Sequence, residues 1–266
     1  MLEIFNGDFR TVIHHPKWEV KFYPTAMAIT RYDCITCKVR NCSILYNCDT
    51  DTLTAISTYK QSRTIQKGER LFSENDPVLG IYFIKKGFLK VELNGKQGRP
   101  LILSIAGKGA VFGHRASPGR RFHLQSATAV SDVQYCYMPF DLFDEIVAKS
   151  PALRQQLINQ ILDDLELVEK KAIKLAHKTV REKVAEALLL LADAYQYEES
   201  KQSFRISLCR QDIADFAGTT KEQVSKTLTD FEKEGLIKCV AKKFSFLHTP
   251  MLRAISNPNS FPNHGV

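Results

Sequence analysis

Six apolar residues, Ile158, Ile161, Leu165, Val168, Ala172 and Leu175, recur at alternating intervals of three and four. That is the a/d seam of a coiled coil, sustained over nearly three heptads. Asp163, Asp164, Glu166, Glu169, Lys170 and Lys171 lie between them, as the wet faces of such a helix should. A helix that only covers its own domain carries a broader apolar stripe. The pattern predicts a helix over Pro151 to Ala176 that pairs in parallel with a second copy, making the chain a homodimer. The six residues are its expected interface, and no charge sits on the seam.

Upstream the period changes. From Arg63 to Phe140 the apolar residues come in short runs: Leu71-Phe72, Ile81 to Ile84, Phe88 to Leu93, Leu101 to Ile105 and Val133 to Met138. Lys67-Gly68, Asn75-Asp76-Pro77 and Lys86-Gly87 punctuate them, and Asn94-Gly95 predicts a two-residue hairpin. Many short, evenly spaced strands imply a sandwich, jelly roll or barrel.

Downstream, Arg205 to Leu208 reads as a short strand and Gln211 to Ala217 as a helix closed by Gly218. Thr219 and Thr220 offer an N-cap, with Glu222 and Gln223 placed for a capping box, and a second helix runs from Lys221 to about Glu234. Leu236 to Leu247 could fold as a β-wing around Lys242-Lys243. Helix, glycine turn and capped helix form the helix-turn-helix signature. Its second helix would turn Lys221, Glu222, Ser225 and Lys226 toward base edges in the major groove. Charge does not decide this: from His177 onward there are thirteen Lys and Arg against eleven Asp and Glu.

A β-sandwich, a seam helix and a winged helix-turn-helix, in that order, resemble the CRP/FNR transcription regulators. The likeness runs from Tyr59 to Ile255. It rests on Ile65-Gln-Lys-Gly-Glu-Arg-Leu-Phe72, Gly80-Ile-Tyr-Phe-Ile-Lys-Lys-Gly87 and Arg210-Gln-Asp-Ile-Ala-Asp-Phe-Ala-Gly218. The resemblance implies an α+β fold: a jelly-roll sensor domain like those that bind cyclic nucleotides, a long dimerisation helix, and a winged helix-turn-helix. The expected limits are 1–48 for an N-terminal arm, 49–148 for the jelly roll, 149–176 for the helix, 177–256 for the DNA-binding domain and 257–266 for a tail. It also implies double-stranded palindromic DNA and RNA polymerase as partners. Thr220, Lys221, Glu222, Ser225, Lys226, Lys242 and Lys243 would meet DNA. The FNR branch carries Glu-x-x-Ser-Arg on this helix, where the present chain has Glu222-Gln-Val-Ser225-Lys226.

Two features bear on the signal. Cyclic-nucleotide binders of the family carry a Gly-Glu-Leu-type segment followed by an Arg-Ser or Arg-Thr pair. Here Phe112-Gly-His-Arg-Ala-Ser117 lacks the glutamate, which argues against a cyclic nucleotide. Cys34, Cys37, Cys42 and Cys48 fall within fifteen residues. In the FNR branch three such cysteines and a fourth on a sandwich strand hold a [4Fe–4S] cluster. The resemblance implies Cys34, Cys37, Cys42 and Cys136 as ligands, with Cys48 as the alternative. The C-x₂-C-x₄-C-x₅-C spacing departs from the branch's C-x₂-C-x₅-C. Zinc, thiol redox chemistry, another small effector or ligand independence stay open. Lys38 and Arg40 would offset part of the thiolate charge.

The remaining features exclude more than they assign. No run of about 18 apolar residues appears, so no membrane partner is expected. Residues Met1 to Arg10 lack the apolar core of a secretory signal. The cytoplasm, where thiols stay reduced, is therefore the expected location. No Gly-rich phosphate loop, nucleophile elbow or metal-hydrolase helix suggests an enzyme.

Overall fold

The computed structural model describes residues 33–95, 99–116, 121–195, 204–205, 208–240 and 243–257. Residues 1–32, Lys242 among the wing residues, and the 257–266 tail beyond Asn257 lie outside them.

Eight strands build the sandwich: β1 (Gln61–Ile65), β2 (Arg70–Phe72), β3 (Gly80–Lys86), β4 (Leu89–Asn94), β5 (Pro100–Ala106), β6 (Val111–Phe112), β7 (Ser126–Ala129) and β8 (Val133–Pro139). They form two antiparallel sheets, ordered β1-β8-β3-β6 and β2-β7-β4-β5. Apart from the β4–β5 hairpin, consecutive strands thus lie on opposite sheets, which is jelly-roll connectivity. The β4–β5 hairpin exists, but Asn94 pairs with Pro100 at the end of the ladder. The loop therefore spans Gly95 to Arg99 rather than two residues.

Alternation along β8 sorts its side chains into two cores. Tyr135 and Tyr137 point between the sheets, against Phe72, Ile84 and Leu89. Cys136 and Met138 point outward, into a layer with Leu53, Ile56, Phe83, Phe140 and Phe143. Two helices supply that layer. α1 (Thr50–Tyr59) starts where the Asp49 carboxylate accepts from the Thr52 N–H at 2.7 Å. α2 (Phe140–Lys149) follows β8 directly.

The seam helix is α3 (Pro151–His177), begun by Ser150 and Pro151. Its first turn belongs to the sandwich: Leu153 is fully buried in the same layer as Cys34, Cys48 and Cys136. Beyond it, Ile158, Ile161, Leu165 and Val168 are exposed, as are Leu162 and Ile173.

The last segment holds α4 (Val180–Ala194), β9 (Phe204–Arg205), α5 (Arg210–Ala217), α6 (Lys221–Lys233), β10 (Ile237–Val240), β11 (Lys243–Phe246) and α7 (Thr249–Ser256). Of the strand expected at Arg205 to Leu208, Arg205 lies in β9, which pairs with β11, and residues 206–207 lie outside the described residues. β10 and β11 form the wing hairpin. This segment docks on its own sandwich. Ile102 of β5 and Val130 share one core with Leu188, Phe216, Phe231 and Phe244. Lys90 of β4 pairs with Asp212 of α5 at 2.9 Å, and Phe88 stacks near Tyr195 with centroids 4.5 Å apart.

Candidate DNA-reading helix and sulfur pocket

α5 ends on Gly218, whose φ of 64° is the left-handed conformation a C-cap needs. α6 then opens on Thr220, whose hydroxyl accepts from the Gln223 N–H at 3.3 Å. Val224, Thr227, Leu228 and Phe231 bury one face of α6. Lys221, Glu222, Ser225 and Lys226 lie exposed on the other, and Lys243 is exposed at the start of β11. Its own backbone N–H and the Thr220 side chain, with the charge of Lys221, hold the Glu222 carboxyl below its usual range. It is thus a ready acceptor at neutral pH. Among the described residues no carboxylate forms an ion pair with Lys221 or Lys226.

The seam residues do not all stand alike. Ala172 is exposed with Ile158, Ile161, Leu165 and Val168, whereas Leu175 is half-buried. A Cβ built on Gly218 would lie 2.3 Å from Leu175 Cδ2. Leu175 therefore packs on the helix-turn-helix turn of its own chain. One turn earlier, Lys171 lies over the Phe216 ring, 4.1 Å from its centroid, and donates to the Phe216 carbonyl. Burial pushes the Lys171 amine down to about 8.

The cysteine segment folds as turns, with a 3-10 turn at Arg40–Cys42. It is bolted to α1 by Ser57, whose hydroxyl accepts from the Cys34 N–H at 2.8 Å. The loop before β6 approaches it closely: a Cβ on Gly109 (φ +92°) would lie 2.0 Å from the Cys42 carbonyl oxygen and 3.0 Å from its sulfur.

Cys34, Cys37 and Cys136 line one small cavity of about 30 Å³, partly open to solvent, with Arg40, Lys60, Lys85, Phe83 and Gly109. Cys34 and Cys136 are 3% and 5% exposed. Cys42 is exposed at the rim, against Gly109. Cys48 is buried but does not line the cavity, and its thiol donates to the Ile44 carbonyl at 3.8 Å. Burial pushes that thiol up to about 11, so it stays protonated. Burial also raises the Cys136 thiol, while Lys60 and Lys85 pull it back.

Arg40 faces the cavity, whereas Lys38 is exposed and does not line it. The cation that sequence reasoning missed is Lys60, 8% exposed, whose ammonium donates to Cys34 Sγ at 2.9 Å. The donor set suits a thiolate-ligated group: soft sulfurs on one cavity, with cations to offset their charge. Among the described residues, no three Cys, His, Asp or Glu side chains already converge on a metal position.

The space between the sheets is filled by aromatic rings. Phe72 stacks on His123 at 3.7 Å and meets Phe112 at 5.4 Å, and Tyr82 meets Tyr137 at 5.4 Å. Burial lowers His123 to about 4, so it is a neutral core ring. His114, where nucleotide binders carry glutamate, is turned to Asp164 of α3. Arg121 pairs with Asp141 at 2.9 Å.

Comparisons with known proteins agree with this architecture. A cyclic nucleotide-binding domain model matches residues 62–150, and a Crp-like helix-turn-helix model matches residues 182–255. Electron transport regulator A of Shewanella oneidensis is 30% identical over 188 residues, 69% of this chain and 73% of that one. The fumarate and nitrate reduction regulatory protein of Vibrio cholerae is 27% identical over 190 residues, 71% of this chain and 76% of that one. FixK2 from Bradyrhizobium japonicum superposes with a TM-score of 0.66 at 21% identity, over 74% of this chain and 96% of that one. Among the described residues no helix is long and apolar enough to cross a membrane. With a jelly roll, a long helix and a Crp-like helix-turn-helix in this order, the chain belongs to the CRP/FNR family of DNA-binding transcription regulators and is not an enzyme.

Proposed function

We propose that this regulator acts as a homodimer on palindromic DNA, in contact with RNA polymerase, and is switched by oxygen or redox state through a [4Fe–4S] cluster. Cys34, Cys37, Cys42 and Cys136 would hold the cluster. The observation that carries the reading is the sulfur-lined cavity with a buried lysine directed at its sulfur. A buried ammonium costs several kcal/mol unless negative charge faces it. Relatives named for electron transport and for fumarate and nitrate reduction point the same way. A bound cluster supplies a redox centre whose potential responds to net charge and to hydrogen bonds on its sulfurs.

The chain's own residues would carry the signal. Cys34 and Cys136 share their apolar layer with Leu153 in the first turn of α3. A change at the sulfurs therefore reaches the helix by packing. Lys171 and Leu175 at the other end of α3 rest on α5 and its turn. Lys221, Glu222, Ser225 and Lys226, with Thr220, would face the bases, and Lys242 and Lys243 the phosphates.

The test is purification without air, followed by iron, sulfide and zinc analysis. Iron and sulfide in equal amounts are expected. Cys136→Ser should remove the brown chromophore and Cys48→Ser should keep it. Protein free of iron and sulfide sinks the cluster. The one alternative is a metal-free thiol switch at the same cysteines, of which Cys34, Cys37 and Cys136 line a common cavity. Reversible oxidant-dependent DNA binding in metal-free protein would identify it.

A further inference from the structure

Lys60 has no role in the reading above beyond its charge, and its placement is unusual. It is the C-cap of α1, where its N–H closes the helix onto the Ile56 carbonyl. Its side chain runs inward rather than to solvent, and the residue is buried to 8%. Lysines are almost never buried so completely without a partner. Here the partner is sulfur: Nζ donates to Cys34 Sγ at 2.9 Å. Among the described residues no carboxylate forms an ion pair with it. An ammonium has three donors, and the cavity that receives it is shared with Cys37 and Cys136.

We propose that Lys60 is the counter-ion of the sulfur pocket, a positioning residue that donates to Cys34 Sγ and balances the charge that Cys34, Cys37 and Cys136 bring to a bound thiophilic metal or cluster. For the cluster it rests on the function proposed above; for a simple thiophilic metal it stands on the geometry alone. Two consequences follow from general chemistry. Outer-shell partners of metal ligands govern affinity by about 10–100-fold. A cation and an N–H···S bond favour the more reduced, more negative state of a cluster and so raise its potential. Without Lys60 the pocket should hold metal less tightly and accept an electron less readily.

The full chain is made as wild type, Lys60→Met and Lys60→Arg, with thermal melting recorded for each. Methionine matches the length of the stem without its charge, and arginine keeps the charge. In the first arm, apo protein is titrated with cobalt(II) and the thiolate-to-cobalt absorbance is followed. Lys60→Met should bind at least about tenfold more weakly, and Lys60→Arg should recover most of that loss. In the second arm, protein reconstituted with ferrous iron and sulfide is titrated anaerobically with dithionite, each cluster gaining one electron and dithionite being oxidised. The Lys60→Met equilibrium should shift about tenfold against reduction, about 59 mV for one electron.

Cobalt affinity in Lys60→Met equal to wild type overturns the proposal, and so does Lys60→Arg as weak as Lys60→Met. If wild type binds cobalt through thiolates but never assembles iron and sulfide, the cluster reading falls while the cobalt affinities still decide the role of Lys60. If wild type shows no thiolate band with either metal, both fall. Should Lys60→Met fail to melt cooperatively, Lys60→Gln replaces it under the same thresholds.

Discussion

His114 Nε2 and Asp164 Oδ2 stand 3.0 Å apart, tying the turn after β6 to the middle of α3. Gln160, one helical turn before Asp164, donates to the other carboxylate oxygen at 3.0 Å. Burial pushes the Asp164 carboxyl up, but the bonds from His114 and Gln160, with the charges of His114 and Arg115, outweigh it and hold it below its usual range. A carboxyl depressed in the folded state stabilises above its unfolded pKa and loses that contribution as pH falls through the folded value. Asp164→Asn should cost about 1–3 kcal/mol at pH 7 in urea unfolding, as expected for a hydrogen bond to a charged group. Its penalty should begin to shrink as pH falls below the unfolded carboxyl value of about 3.9, and go on shrinking toward the lower folded value. An equal penalty at pH 7 and pH 3 would show that the ionised carboxylate contributes nothing.

Leu165 is exposed at the centre of the apolar face of α3. Leu165→Glu would set an unpaired charge against its own copy in a dimer, at a cost on the order of several kcal/mol. Sedimentation velocity should report monomers whose melting is otherwise intact, because among the described residues Leu165 belongs to none of the chain's buried cores. A mutant that sediments as a dimer puts the interface elsewhere.

On α6 the exposed Lys226 stands where the FNR branch carries arginine. Lysine lacks the planar fork that grips guanine O6 and N7 together. Selection from random duplexes should give half-sites related to TTGAT with a relaxed guanine, and Lys226→Arg should sharpen that position by about 1–3 kcal/mol. Lys243→Ala should weaken all duplexes alike and lower the salt dependence. An unchanged guanine preference in Lys226→Arg removes Lys226 from base reading.

Lys171 is held down to about 8 by burial. Its folded value lies below the usual lysine value, so between about pH 8 and 10.5 this group binds more protons in the unfolded chain and its own contribution to stability rises with pH. That rise belongs to Lys171, and Lys171→Met should lose it. The quantity to compare is unfolding free energy at pH 7.5 and 10 in both proteins. Parallel pH slopes would refute the assignment.

Sequence periodicity made the sandwich, the seam helix and the helix-turn-helix legible because each buries one face by a simple repeat. Gly218 and Thr220 marked the turn because their chemistry is local. α1 was not legible: Thr50-Asp-Thr-Leu-Thr-Ala-Ile-Ser-Thr-Tyr59 is rich in β-branched and hydroxyl residues, and its helix is held by Leu53 and Ile56 against the sheet. α2 was not legible as a separate helix: its first residue, Phe140, closes the strand region, and the rest falls within the 49–148 limits of the jelly roll. Lys60 carries no sequence signal, since its burial follows only from α1 folding back over β8. The outward aim of Cys136 was readable in principle from its place between Tyr135 and Tyr137.

Asp212 serves two masters. One carboxylate oxygen accepts the Cys209 N–H at 2.8 Å and so caps α5, and the other holds Lys90 of β4 at 2.9 Å. The strand that belongs to the sandwich and the first helix of the DNA reader are thus wired through a single side chain. Sliding one past the other breaks a helix cap as well as an ion pair. The joint is a keyed coupling rather than a greased bearing: that carboxylate's two bonds fix β4 against α5 alongside the apolar core the two halves share.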